Sequence, residues 1–348
     1  MKRIFLFFIF SILCLNIYSQ KYKHVFDIYT KGDTETALVI GIESLKLDDN
    51  NTELNYLIGR ILTEKKQFKK SIPYLEKGAS KENTEDWIEA WSLAYLGVSC
   101  YYMDNFEKAK RCLDEAISLN ATENVVKFAK KIKYGFQLDE YYKDWKVIET
   151  EFITFHFQNK YSLYSLEKYV KLRTDAYEKI NEFFQASPIK KIDFFVWNVR
   201  DDAKSKLGRE LGFADARTCI INSYFEQTFG HEITHILCQF GVFPIKRTRF
   251  INEGVAVYFD QTNRDRMKKA REALNGNHIS ILELWNNPKQ YPDTYNYSVG
   301  GAFVEFLAKN GTENQLKKLL KEQTVENAEK IYDNFHELIR EFEKELKI

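Results

Sequence analysis

The stretch GHEITHILCQF, residues 230–240, places two histidines and a glutamate within five consecutive positions. His231 and His235 are four residues apart, so on a helix both imidazoles project from one face and can reach a single metal ion. Glu232 lies about 100° further round the helix, at the flank of that face. There it can take a proton from water without itself ligating the metal. The stretch therefore predicts a helix that carries a metal-dependent hydrolytic site.

A second stretch, RFINEGVAVYFD at residues 249–260, supplies a third ligand. Glu253 follows His235 by 18 residues, which is enough for a turn and a second helix that packs back on the first. A glutamate beside the apolar run 255–259 is costly unless it is paired or ligated. Imidazole suits zinc, and a catalytic zinc site needs three protein ligands and one open position. We therefore predict zinc ligation by His231, His235 and Glu253, with Glu232 as the general base.

The surrounding sequence predicts an α+β domain over residues 141–348. Runs of β-branched and aromatic residues indicate strands, and apolar spacing indicates an amphipathic helix between the first two of them. The last hundred residues have a helical pattern, in which GAFVEFLAKNG ends on Gly311 as a C-cap. The predicted strands are Ile153–Phe157, Ile192–Trp197 and Thr218–Phe225, and the predicted helix is Leu166–Phe184.

From about Trp145 to Leu320 the chain resembles the gluzincin metallopeptidases, the thermolysin-like group whose third zinc ligand is a glutamate on the next helix. RFINEGVAVYFD is similar to the group's Trp-x-x-Glu-Gly signature, with Phe250 in the tryptophan position. The resemblance implies a small mixed sheet, a zinc helix and a helical C-terminal part. It also implies that TCIINSYF, residues 218–225, is the edge strand along which an extended peptide substrate pairs.

The resemblance extends to an oxyanion-stabilising residue. In YNYSVGGAFVEFLAKNG, a tyrosine precedes a glycine and an apolar helix, as in gluzincins, and the match assigns this role to Tyr297. Tyr295 is the reserve candidate, and His278 is retained because thermolysin-like enzymes also use a downstream histidine. The outer-shell aspartate of thermolysin corresponds to Val257 here, and Asp260 lies one turn beyond it, so the partners that orient the histidines stay unassigned.

These parts imply hydrolysis of a peptide bond by a water molecule that the zinc ion activates and Glu232 deprotonates. An endopeptidase is favoured, because no Gly-x-Met-Glu-Asn segment, as an aminopeptidase requires, precedes His231. The alternative is an inert or weakly active scaffold, in which the N-terminal half of the chain recruits a partner. The complete set of ligands and base argues against that alternative. The sequence does not identify the substrate.

Residues 21–140 carry a helical repeat. Gly59, Ser71, Leu75 and Gly78 recur as Gly97, Ala109, Leu113 and Ala116, with the same offsets of 12, 16 and 19. These offsets match the tetratricopeptide repeat, in which small residues let two antiparallel helices approach closely. We predict an array of about three helix pairs, and such an array offers a groove for a protein or peptide partner.

The N-terminus predicts export. Lys2 and Arg3 precede the apolar run 4–15, and polar residues follow, which is typical of a signal peptide over residues 1–20. The run is shorter than the roughly 20 residues of a stable membrane span. Lipid attachment at Cys14 is less favoured, because Leu13 stands where a lipoprotein signal needs a small residue. The predicted location is periplasmic or secreted, with no further transmembrane segment.

The composition and the remaining candidate residues limit the possible functions. Lys plus Arg number 51 against 50 for Asp plus Glu, and no basic block stands out, which disfavours a nucleic-acid partner. We expect the cysteines after the signal peptide to be buried thiols, with Cys238 in the core. His156 is expected to be a half-buried strand residue, and Glu305 is expected to face solvent.

Overall fold

The computed structural model describes residues 22–80, 84–158 and 163–347. The predicted signal peptide, residues 1–20, lies outside the described residues. The chain divides into two compact units: the first extends to Lys143 and includes Lys204–Arg209, and the second comprises Asp144–Ala203 and the chain from Glu210 onward. Within the described ranges, no helix has both the length and the hydropathy that a membrane span requires.

The first unit is an array of antiparallel helices, similar to a tetratricopeptide array. Consecutive helices pair as α3 with α4 and α5 with α6, and α7 packs on α5 and α6. Val25 of α1 and Ala37 of α2 belong to one buried cluster. The bounds are 22–30 for α1, Thr34–Leu45 for α2, Thr52–Glu64 for α3, Phe68–Gly78 for α4, Asp86–Tyr101 for α5, Phe106–Leu119 for α6 and Glu123–Gly135 for α7. A 3-10 turn, Glu140–Tyr142, follows.

The repeated glycine and leucine mark the place where the two helices of a pair touch. A Cβ at Gly59 would lie 2.5 Å from Cγ of Leu75, and one at Gly97 would lie 2.7 Å from Cγ of Leu113. Real Cβ atoms do not approach other atoms so closely, so both positions require glycine for this helix spacing. The offset of 16 residues in the sequence is therefore one structural contact, formed twice.

A buried hydroxyl cluster joins adjacent pairs. The hydroxyl of Ser99 on α5 lies 2.9 Å from that of Thr63 on α3 and 2.7 Å from that of Ser71 on α4. Because buried polar groups are stable only with partners, these bonds hold α5 against the preceding pair in one register. The small residue recurring at position 71 thus contributes a hydrogen bond as well as space.

The second unit contains a five-stranded mixed sheet in the order β1-β2-β3-β5-β4. Strands β2, β3 and β5 are parallel to one another, while β1 and β4 are antiparallel to their neighbours. The bounds are Lys146–Glu149 for β1, Ile153–Phe157 for β2, Ile192–Trp197 for β3, Phe213–Asp215 for β4 and Ile220–Tyr224 for β5. The prediction of strands in these three regions is confirmed.

The prediction that residues 218–225 form the edge strand is wrong. These residues contain β5, which pairs with β3 on one side and with β4 on the other. The three-residue strand β4, Phe213–Asp215, is terminal in the sheet instead. Its sequence, Phe-Ala-Asp, is too short to give the alternating pattern by which a strand is recognised, so β5 looked like the last strand.

Along the chain, the helices of the second unit lie between the strands and after the last of them. Two lie between strands: α8 at Leu163–Phe184 and α9 at Arg200–Leu207, of which the residues from Lys204 onward belong to the first unit. The others are α10 at His231–Val242, α11 at Arg249–Tyr258, α12 at Arg266–Leu274, α13 at Ile281–Asn286, α14 at Asp293–Asn310, α15 at Glu313–Lys321, α16 at Val325–Ile331 and α17 at Phe335–Leu346. Pro288–Gln290 forms a 3-10 turn, and Gly311 caps α14 as predicted.

One face of the sheet forms the core of this unit. Alternate strand residues such as Phe155, Phe194 and Ile221 point to that face, as the period of a strand requires. Ile233 and Leu237 of α10 belong to the same cluster and are fully buried. Burial of this face of α10 leaves its other face, with the two histidines, turned toward α11.

We expect Gly97→Ala to destabilise the first unit, because its added methyl group must displace Leu113 or the helix that carries it. Overpacking of this kind costs about 1 to 3 kcal/mol, and thermal unfolding measures it as a lower Tm. Gly135→Ala is the matched control, since Gly135 is also a helical glycine, the last residue of α7, but a Cβ there meets nothing within 4 Å. Equal Tm values for the two variants would contradict the packing account.

Candidate metal centre

Helix α10 begins at the first histidine because its N-terminus is fixed to the end of α11. The backbone N–H of Gly230 donates to the carbonyl of Asp260 at 3.2 Å. A Cβ at Gly230 would lie 2.7 Å from the carbonyl oxygen of Phe259. Only glycine permits this approach, which places the first turn of α10 directly beside α11.

Helices α11 and α14 approach each other through glycine on both sides. A Cβ at Gly254 would lie 2.6 Å from the carbonyl oxygen of Gly300, and one at Gly300 would lie 2.6 Å from that of Phe250. A Cβ at Gly301 would meet the side chain of Val257 at 2.4 Å. The two backbones are therefore in direct contact, and this contact lies one residue from Glu253 and three from Tyr297.

The three predicted ligands converge. Nε2 of His231 lies 3.3 Å from Oε2 of Glu253, and Nε2 of His235 lies 3.5 Å from the same oxygen. One donor atom from each residue lies within 4.8 Å of the other two. The ring centroids of the two histidines are 5.1 Å apart. The helical spacing thus brings both imidazoles to one carboxylate on the neighbouring helix.

The centre is buried and electrostatically coupled. Burial by itself lowers the pKa of His231, but the hydrogen bond to Glu253 and the charges of Glu232, Glu253 and Asp260 raise that pKa above its ordinary value. Burial likewise opposes ionisation of Glu253, yet its hydrogen bonds to His231 and His235 hold the pKa of its carboxyl far below the usual range. Glu253 is therefore a carboxylate, as a metal ligand must be.

Glu232 and Tyr297 line the same cleft as His231. The cleft has a volume of about 440 Å³, and its walls also include Tyr224, Gln227 and Asp260. Glu232 is 5% exposed. Among the described residues, the cluster of converging donor atoms consists of His231, His235 and Glu253 and does not include Glu232. Glu232 lies beside the ligand set, at the position that the sequence predicts for a base.

Tyr297 stacks on the ring of His231, with centroids 5.7 Å apart and an interplanar angle of 20°. Burial and then the charge of Glu253 raise the pKa of the phenol above its ordinary value, against a smaller opposing effect of Arg249. Tyr297 therefore keeps its proton at neutral pH and is a hydrogen-bond donor inside the cleft.

The two reserve candidates are not brought to the centre. The hydroxyl of Tyr295 accepts a bond from Asn277 at 3.4 Å, and its ring stacks on Tyr291. His278 is exposed on the loop after α12. Neither residue belongs to the described lining of the cleft. Tyr295 and Tyr297 are two positions apart on α14, which separates their directions by about 200° and explains why only one of them faces the ligands.

Three polar residues at the centre have no sequence motif. Gln227 donates from Nε2 to Oε1 of Glu232 at 2.9 Å. Asn252 lies 3.3 Å from Nδ1 of His235 through its side-chain amide. Asp260 is buried, accepts bonds from Thr262 and contributes negative charge beside His231. The sequence contains one indication of the role of Asn252. This residue directly precedes Glu253 on α11, and a neighbouring position on a helix can reach the same partner helix, here α10.

The donor set fits zinc. Two imidazoles and one carboxylate form one of the ligand sets of catalytic zinc sites. The amide nitrogen of Asn252 faces Nδ1 of His235 at 3.3 Å. Turned by 180°, the same amide would present its oxygen to Nδ1–H, and the Nε2 lone pair of that ring would be left for a metal. His231, His235 and Glu253 are therefore the residues that would hold the ion, and Asn252 would orient one of them.

Other expectations for this unit have mixed outcomes. His156 is a half-buried strand residue, as predicted, and it bonds Asp193 at 3.0 Å. Cys238 is buried in the core, and the four cysteines that the structure describes are all buried free thiols. Glu305 does not face solvent as predicted; it is half-buried because it forms ion pairs with Arg266 and Lys309, at 3.8 and 3.2 Å.

Comparison with known proteins supports the prediction of a tetratricopeptide repeat in the N-terminal half of the chain. The family model of the tetratricopeptide repeat matches residues 52–80, which correspond to α3 and α4. No curated protein matches the chain. Tetratricopeptide repeats indicate protein–protein interaction.

We expect Gly254→Ala to lower Tm by about 2 to 10 °C, from about 1 to 3 kcal/mol of overpacking. Here the added methyl group meets a backbone carbonyl, which cannot rotate away as a side chain can. Since Glu253 and Tyr297 flank the contact, zinc affinity should fall in parallel. Thermal unfolding with and without zinc measures both, with Gly135→Ala as the control. An unchanged Tm and unchanged affinity would contradict the assigned role of this contact.

We expect the full-length protein to bind one zinc ion, and His235→Ala to remove most of that affinity, since two ligands hold the ion less well than three. Competition with a chromogenic chelator measures the affinity. His278→Ala is the matched control, because it removes an exposed histidine that does not line the cleft. Equal affinity of parent and His235→Ala would refute the site.

Proposed function

We propose that the protein is a zinc-dependent peptidase of the gluzincin type, and that it cleaves within peptide chains. The observation that carries the proposal is that His231, His235 and Glu253 converge and that His231 lines a cleft together with Glu232 and Tyr297. A metal-binding triad alone occurs in many structural sites. A buried carboxylate beside the triad and a protonated phenol across it supply the acid–base and hydrogen-bonding groups that hydrolysis needs.

When bound, zinc at such a donor set acidifies water and polarises a carbonyl group. Glu232 has one carboxylate oxygen engaged with Gln227 and a second that can accept a proton from water in the cleft. It can then return this proton to the leaving nitrogen. Glu232 therefore acts first as base and then as acid, and no covalent step on the protein is required.

Tyr297 is proposed to stabilise the oxyanion that forms from the substrate carbonyl. Its raised pKa keeps the phenol protonated, and its ring stacks on that of His231. Rotation of the side chain can direct this donor to an oxygen held nearby. Donors that are fixed where charge develops contribute most to catalysis.

The repeat unit is proposed to bind a protein, either the substrate or a partner that delivers it. Rings from α1, α3 and α5 meet on one face, where the guanidinium of Arg60 lies 5.1 Å from the ring of Tyr29 and 5.4 Å from that of Tyr95. Trp91 and Phe128 extend this face with centroids 5.3 Å apart. Half-buried aromatic rings are well suited to protein contacts.

The proposal includes export, because the N-terminal sequence predicts a signal peptide, and an exported hydrolase would act on extracytoplasmic peptides. A scaffold without activity is the competing function. The tetratricopeptide match supports partner binding, which a scaffold and a peptidase could share. A scaffold, however, has no need for the buried carboxylate of Glu232 beside the triad. Activity and metal content together distinguish the two functions.

We expect Glu232→Gln to bind zinc as the parent does and to lose cleavage of a mixed peptide library by at least about 100-fold, since the amide cannot take a proton. Zinc per chain is measured by atomic emission, and cleavage by mass spectrometry. Equal turnover by variant and parent would exclude the mechanism. Absence of zinc and of cleavage in the parent would favour the scaffold.

A further inference from the structure

We propose that Gln227 is a positioning residue that fixes the carboxylate of Glu232, and that Ser223 sets the direction of the Gln227 amide. This inference rests on the peptidase function proposed above, because it concerns the orientation of the base. Gln227 lies in the loop between β5 and α10, and Ser223 lies in β5. Neither residue is a predicted ligand or catalytic group.

The three side chains form a directed series of hydrogen bonds. The hydroxyl of Ser223 donates to Oε1 of Gln227 at 2.7 Å, and Nε2 of Gln227 donates to Oε1 of Glu232 at 2.9 Å. An ionised carboxylate only accepts hydrogen bonds, so the nitrogen of the amide must face Glu232. The amide oxygen then faces Ser223, which is 1% exposed and acts as its donor.

The surrounding backbone both makes room for the Gln227 amide and holds its main chain. Gly212 has φ of +89°, and a Cβ there would lie 2.4 Å from Nε2 of Gln227. The guanidinium of Arg173, which is 1% exposed, donates to the carbonyl of Gln227 at 2.8 Å. Gln227 is thus held by its main chain from α8 and by its side chain from β5, while the glycine makes room for its amide.

In this arrangement the two oxygens of the Glu232 carboxylate have different roles. The amide of Gln227 occupies Oε1, so the plane of the carboxylate is fixed and Oε2 is the oxygen left for proton transfer. Correct orientation of a catalytic group contributes strongly to rate, and a displacement of about 1 Å can cost about 100-fold. Gln227 therefore acts through Glu232 and needs no contact with the reacting atoms.

Gln227→Met tests the amide, because methionine keeps the length of the side chain and removes its donor. Ser223→Ala tests the orienting hydroxyl. Gln239→Met is the matched control: Gln239 lies on α10, is half-buried and accepts a hydrogen bond from Arg247 at 2.6 Å, away from the cleft. All variants are full-length and zinc-loaded, and internally quenched peptides are the substrates.

We expect Gln227→Met to lower kcat by about 10- to 100-fold with KM unchanged within about twofold, since ground-state binding is retained. Ser223→Ala should lower kcat in the same direction by less. Gln239→Met should match the parent, and all four proteins should hold the same amount of zinc. High-resolution crystal structures should show one Glu232 orientation in the parent and more than one in Gln227→Met.

Parental kcat in Gln227→Met, or a parental structure in which the Gln227 amide turns away from Glu232, would overturn the inference. A KM increase without a change in kcat would also overturn it, because Gln227 would then be a substrate contact. If the parent cleaves no peptide, the peptidase function fails, and the two crystal structures alone decide the inference. An ordered, unmoved Glu232 in Gln227→Met contradicts it, and a rotated one supports it.

Discussion

The candidate site depends on the direct backbone contact between α11 and α14. Gly254 and Gly300 have no side chains between the two helices, so Glu253 on one helix and Tyr297 on the other lie closer than ordinary helix packing allows. At the usual interaxial distance of about 8 to 10 Å, the phenol would not stay beside His231. The contact of Gly230 with the end of α11 completes the arrangement, because it brings the first turn of α10 to the same place.

The polar groups that meet there work against the stability of the unit. A carboxylate and two imidazoles are withdrawn from water, and only their mutual bonds offset the loss of hydration. A second carboxylate, Glu232, is stabilised by Gln227. Such a cluster is maintained because the surrounding apolar core, including Ile233 and Leu237, fixes the helices independently of it. A metal that binds only the folded protein adds about 2.7 kcal/mol of stability at 100 times its dissociation constant, so stability and occupancy are linked.

The sequence predicts that His231, His235 and Glu253 converge, because helical spacing alone brings the two histidines to one face and a buried glutamate needs a partner. Helix and strand positions follow from periodicity in the same way. The order of the strands in the sheet could not be predicted in this way. Strand β4 has only three residues, and its pairing with β5 depends on the fold and not on the local sequence pattern. Gln227 was missed for a related reason: its role depends on Ser223 and Gly212, which approach it only through the fold. Glu305 was misjudged because Arg266, its partner, lies on another helix.

Glycine permits close helix packing in both units, but with different tolerance. In the repeats, Gly97 faces chiefly the side chain of Leu113, which has other rotamers, so a larger residue can be accommodated at some cost in packing. At the site, Gly254 faces a backbone carbonyl, and no rotamer change can relieve that contact. A repeat needs only to keep its helices together, whereas hydrolysis needs donor and acceptor atoms held to a fraction of an ångström. The stricter contact therefore lies at the candidate site, where the proposed chemistry would require it, and the more adaptable one lies in the repeats.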